Sequence, residues 1–212
     1  MTASVVLLLT LTVTVAVLDW IAVRVGNKGL EYVAKPGTMV LLIAAVLAME
    51  PTDTTARWFF VVALGFSMLG DIFLMLPDRE RFFVFGLGAF LVGHLAYIPG
   101  LVLLGFSPVA FLVGLVLVAI AMATVGRQVI KGVQANEPKL VVPVMVYMGV
   151  ISVMVASAVA TGKVAAIVGA LLFYGSDTLI AWNGFVRPWW WANVAIMVTY
   201  HLGQIGLALA LV

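Results

Sequence analysis

Apolar runs, most of them long enough to cross a bilayer, make up nearly all of this chain. They fall at about residues 3–23, 36–50, 57–76, 82–104, 107–125, 140–161, 164–182 and 189–211. A crossing helix needs about 20 such residues, since each adds only about 1.5 Å of rise. The pattern therefore predicts an all-α polytopic membrane helical bundle of about eight transmembrane helices, with residues 1–212 as a single transmembrane domain. The second run is short, and Gly105-Phe106-Ser107-Pro108 reads as a tight turn, so seven spans is the rival count. Only 9% of the 212 residues are charged and 65% are hydrophobic. A soluble domain carries roughly 25% charged residues. The first run has no basic residues ahead of it, and Arg24 and Lys28 follow it. It is expected to be a membrane helix rather than a cleaved leader.

Charge orients the bundle. Nine cations (Arg24, Lys28, Lys35, Arg79, Arg81, Arg127, Lys131, Lys139 and Arg187) fall after odd-numbered spans, against Arg57 and Lys163 on the other side. The positive-inside rule puts the nine in the cytoplasm and both termini outside. A bacterial inner membrane is the expected location. Trp189, Trp190 and Trp191 suit an interfacial belt there. The formal net charge of +2 offers no surface for nucleic acid. Partners are then membrane lipids and a lipid substrate, with the oligomeric state left open.

Against this apolar background the polar residues stand out. Asp71 (SMLGDIFLML) and Asp177 (FYGSDTLIAW) each precede the end of a span by five residues, at about 8 Å depth by helical rise. An ionised carboxylate there is costly unless paired, hydrated or protonated. Two acids at one depth predict a shared polar cavity. His94, with Tyr97 one turn on, lies near mid-membrane in span four. Tyr200, His201 and Gln204 lie at the matching depth in span eight, Tyr200 and Gln204 on one face. Interhelical hydrogen bonding is the plainer use of such residues, above all for Tyr97 and His201. Lys35, before Pro36, is expected where a loop enters span two, either snorkelling or meeting a phosphate. Asp19 is a partner for such a cation. Asn183 lies near the interface, where it could orient a head group. Gly70, Gly86, Gly88, Gly93 and Gly175 would let helices approach near the acids. No cysteine is present, and the histidines have no ligand-spaced companion, so neither metal nor cofactor is expected. P-loop, dinucleotide and serine-hydrolase motifs are absent.

A shift of 106 residues lays Asp71 on Asp177, Arg81 on Arg187 and His94 on Tyr200. A parallel 4+4 internal repeat would place them so, although identity elsewhere is poor.

The elements GDIFLML and GLGAFLVGHLAYI, then VGALLFYGSDTLIAWNGF and TYHLGQ, with Lys35-Pro36 after Tyr32, resemble the signature of the YhhN-like, or lysoplasmalogenase, membrane family. They run from residue 32 to 204. The resemblance implies hydrolysis of the vinyl-ether bond of a lysophospholipid, releasing a fatty aldehyde and a glycerophospho-head group. It implicates Lys35, Asp71, His94, Asp177, Tyr200 and Gln204. The residue types suit that chemistry, because one carboxylic acid can protonate the vinyl ether while a second carboxylate supports the cation and activates water. Either aspartate could take either role. A proton-coupled transporter, or a lipid-binding protein without turnover, is the alternative.

Overall fold

The computed structural model describes residues 1–212, apart from the side chains of Arg79 and Glu80. Eight helices are long and apolar enough to cross a membrane. They are α1 (Ala3–Val25), α2 (Lys28–Ala48), α3 (Thr54–Met75) and α4 (Arg79–Leu104). They continue as α5 (Pro108–Asn136), α6 (Val141–Ala160), α7 (Val164–Phe185) and α8 (Ala192–Leu209). The count is eight, and the break at Gly105–Pro108 is a true turn. Ser107 there accepts a hydrogen bond from the Ala110 amide, and Pro108 opens α5. Thr2, Asn27, Asp53 and Asp78 cap α1 to α4 in the same way. Each satisfies an amide that the first helical turn leaves without a partner.

Two helices outrun the lengths expected of them. Helix α2 begins at Lys28 and passes through Pro36. Proline lacks the amide that continues a helix, yet membrane helices tolerate it where neighbouring groups satisfy the freed backbone. Lys35 therefore lies inside α2 and is buried, not in a loop. Its ammonium pairs with Glu31 at 3.2 Å, and Lys28 takes the other Glu31 oxygen at 2.7 Å. Helix α5 continues to Asn136 through a π-helical turn at Met122–Gly126. Arg127 and Lys131 are thus helical rather than in a loop.

The exterior is apolar and the interior holds the polar side chains, the reverse of a soluble protein. Val33, Val109, Val142 and Val164 are among the exposed apolar residues, while Asp19, Asp71, His94 and Gln204 are buried. Helices pair tightly as α3 with α4 and α7 with α8. A Cβ on Gly169 would lie 2.5 Å from the Leu207 amide nitrogen, and one on Gly203 would lie 2.8 Å from that of Phe173. Only glycine permits that approach. Gly70, Gly86 and Gly93 similarly face α3–α4 neighbours, whereas Gly88 and Gly175 meet nothing within 4 Å. At the cation-poor end, Lys163 donates to the Ala210 carbonyl at 2.7 Å and Arg57 to that of Met49 at 3.4 Å. Both cations thus meet the exposed carbonyls at a helix C-terminus, where positive charge is favourable.

Candidate active site

Three helices build a compact polar group around Asp177. The Asp177 carboxylate on α7 accepts the Tyr147 hydroxyl of α6 at 2.5 Å. His94 Nε2 on α4 lies 3.2 Å from the same carboxylate oxygen and 2.9 Å from the Tyr147 hydroxyl. Tyr147 has one proton and gives it to Asp177, so the proton between His94 and these oxygens belongs to Nε2. His94 is fully buried and packs on Phe173, with ring centroids 4.8 Å apart.

A cavity opens beside this group, between α4, α5, α6 and α7. About 760 Å³ of empty space lies in and in front of it, including what is open to the surroundings, and Leu87, Phe90, Val129, Val144, Ile151 and Phe185 form apolar walls. Tyr147, Tyr174, Asp177 and Thr178 bring its side-chain oxygens. Val125 and Gly126 of the π turn form part of the α5 wall. Such turns often mark functional positions, because they displace a helix face.

Asp71 belongs to a second group. It is buried on α3, and its carboxylate accepts the Tyr200 hydroxyl of α8 at 2.6 Å. That hydroxyl is also 3.5 Å from the Met39 sulfur on α2. Lys35, Asp19 and Asp177 all lie within electrostatic range of Asp71. One turn beyond Tyr200, Gln204 accepts the Tyr97 hydroxyl at 2.6 Å.

The expected single cavity is therefore not what the chain forms. Among the site residues picked out by sequence, Asp177 alone lines the cavity; Lys35, Asp71, His94, Asn183, Tyr200 and Gln204 do not. The reason is local satisfaction and aromatic filling. Each aspartate takes a tyrosine hydroxyl from its own side, and Phe90 and Phe173 occupy the space between. Phe90 lines the cavity and also meets the Tyr200 ring edge-on at 5.8 Å; Phe173 lies 5.4 Å from the same ring. Depth differs too, since Asp71 precedes the end of its helix at Met75 by four residues and Asp177 precedes Phe185 by eight. Asn183 has a structural use: its side-chain oxygen accepts the Trp189 amide at 2.8 Å and fastens the α7–α8 connection. Asp19 forms no pair with a cation, as Lys35 is engaged by Glu31.

Sequence reasoning missed Tyr147. Its signal was a lone phenol in the apolar stretch VVPVMVYMGVISVMV, with no acid nearby in sequence to draw attention. Each aspartate thus reaches an aromatic side chain from the other half of the chain, Asp71 bonding Tyr200 and Asp177 meeting His94. Among the described residues, no three histidine, aspartate or glutamate side chains converge as a metal site would require.

Residues 30–211 match the YhhN family. The chain is 34% identical over 189 residues to a lysoplasmalogenase of Mycobacterium bovis, covering 84% of this chain and 71% of that protein. It is 36% identical over 148 residues to the human lysoplasmalogenase TMEM86B, covering 70% of this chain and 61% of that one. The human lysoplasmalogenase TMEM86A is 33% identical over 161 residues, covering 71% of this chain and 64% of that one. No solved structure matches.

Proposed function

This chain belongs to the YhhN family, and from that premise we propose that it is an integral membrane hydrolase that cleaves the vinyl-ether bond of lysoplasmalogens. The names of its relatives support the substrate class. The observation that carries the reading to this chain is an apolar cavity ending on a partly buried carboxylate held by a tyrosine and a histidine. A single-chain lipid places its alkenyl chain along the Leu87, Val144 and Ile151 walls, with its vinyl ether at Asp177.

The reaction then runs as acid catalysis. Asp177, protonated on the oxygen that Tyr147 does not engage, gives its proton to the vinyl carbon remote from oxygen. The product is an oxocarbenium ion. Water adds to the carbon that bears oxygen, and its proton returns to Asp177, leaving a hemiacetal. The hemiacetal transfers its hydroxyl proton to the ether oxygen through the same carboxyl group as the carbon–oxygen bond breaks. Fatty aldehyde and glycerophospho-alcohol leave, and one water has been consumed. Asp71 serves as the second carboxylate, one layer behind, and its charge stabilises the cation. His94 orients Asp177, while Tyr200 fixes Asp71. Lys35 and Gln204 complete the second group, and Asn183 holds the loop beside the cavity. The nine-cation end faces the cytoplasm with the cavity mouth toward it, both termini are extracytoplasmic, and the location is a bacterial inner membrane. No metal or cofactor takes part.

The test is turnover by purified protein in lipid nanodiscs. Aldehyde should appear from 1-alkenyl lysophospholipid and not from the 1-alkyl analogue, whose saturated ether cannot be protonated at carbon. Movement of intact lipid without aldehyde would favour the transporter instead.

A further inference from the structure

A set of buried polar side chains gathers between α1, α2, α3 and α8, and the chemistry above gives no use to Asp19 and His201 among them. Asp19 on α1 is fully buried, and neither carboxylate oxygen has a partner. His201 on α8 is equally buried. Its Nδ1 accepts the Trp20 indole N–H at 3.0 Å, so its ring proton sits on Nε2, which has no acceptor. Gln204 uses its oxygen on Tyr97, and its amide nitrogen has no acceptor. The Ser67 hydroxyl is also unpaired. Lys35 makes one hydrogen bond, to Glu31, and has further N–H groups to give. Asp19, His201 and Asp71 are neighbours: His201 bonds Trp20, which follows Asp19 in the chain, Tyr200 beside it bonds Asp71, and Lys35 lies within electrostatic range of all three.

Buried polar groups are nearly always hydrogen-bonded, and an unpaired buried carboxylate costs several kcal/mol. Here donors (His201, Gln204, Lys35) and an acceptor (Asp19) lie close together. An anion is opposed by Asp19 and Asp71. A metal ion lacks converging ligands among the described residues. Water suits the mixture, because each molecule both donates and accepts. The Lys28–Glu31 pair, with Lys28 70% exposed, marks the surface end.

We propose that α1, α2, α3 and α8 enclose a file of internal water, leading from Lys28–Glu31 past Lys35, Asp19 and His201 to the Asp71–Tyr200 pair, and that it is the water inlet of the enzyme, its last step passing the Phe90 ring that stands between Tyr200 and the cavity. The second part rests on the hydrolase reading. An inlet separate from the lipid cavity has a physical purpose. The alkenyl chain fills the apolar cavity during the reaction, so the water that attacks must arrive from another side. Asp19 and His201 are then positioning residues for water.

Radiolytic hydroxyl-radical labelling of the full chain in nanodiscs tests this, because radicals born from internal water mark buried side chains beside it. Met39 and Met154 are both 0% exposed and both belong to the apolar core, but of the two it is Met39 that touches the Tyr200 hydroxyl. Met39 and His201 should be modified at least about tenfold faster than Met154. Equal protection of all three would overturn the water file, whether or not the protein turns over lysoplasmalogen. Asp19→Leu should lower labelling at Met39 and cut kcat about tenfold with KM unchanged, and Asp19→Asn should restore both. Should Asp19→Leu fail to fold, His201→Phe removes the neighbouring donor and should give the same loss. Lost labelling with normal kcat would overturn the inlet role.

Discussion

In the proposed reaction one hydrogen bond, from Tyr147 to Asp177, prepares a carboxyl group for acid catalysis. Tyr147 engages one oxygen, which leaves the other to carry a proton toward the cavity. Asp177→Asn should lower kcat by about 10³-fold, within the range for loss of a general acid. Asp71→Asn should also abolish measurable turnover, while both variants keep the melting temperature of the parent. Near-normal turnover by either would remove the two-carboxylate scheme. Tyr147→Phe keeps the ring and removes the proton, so kcat should fall about 10- to 100-fold with KM little changed, the scale of a hydrogen bond to a charged group. Asp71, His94, Asp177 and Tyr200 were legible in the sequence because polar groups in apolar runs are conspicuous. Tyr147 was not, since a tyrosine is ordinary in such a run until a neighbouring helix brings an acid to it. Nor could the sequence reveal the wall of Phe90 and Phe173, which depends on how four helices meet.

At the level of elements, helix existence followed from apolar length, and the errors lay at ends. Pro36 ended the apolar reading of α2 early, and Lys28, Glu31 and Lys35 looked like a loop because they are charged. In the fold they form one ion-paired helix face instead. The helix contacts near the acids were foreseen for Gly70, Gly86 and Gly93, but the closest backbone approach is at Gly132, against the Phe185 carbonyl, followed by Gly169 against the Leu207 amide nitrogen. Gly169→Ala should therefore destabilise by about 1–3 kcal/mol, the usual cost of overpacking, read as a lower unfolding temperature in detergent. Gly175→Ala, facing open space, should leave that temperature within about a degree or raise it, since alanine favours helix over glycine by about 1 kcal/mol.

For the whole molecule, the absence of cysteine makes topology directly measurable. Single cysteines at Thr2 and Lys163 should react with a membrane-impermeant maleimide in intact cells. One at Lys139 should react only after permeabilisation, and the reverse pattern would invert the bundle. Activity should withstand exhaustive chelation, and zinc-dependent recovery of a chelated sample would bring a metal into the mechanism, with His94 the first ligand to substitute. The central claim joins the cavity, the carboxyl group and the bond broken, and one measurement reaches all three. Purified protein is given 1-alkenyl lysophospholipid in D2O, and the aldehyde is trapped at once and weighed by mass spectrometry. Proton transfer to carbon predicts one deuterium beside the carbonyl carbon with the parent protein, and aldehyde formed about 10³-fold more slowly with Asp177→Asn. Unlabelled aldehyde, or labelled aldehyde at the parent rate from Asp177→Asn, would contradict it.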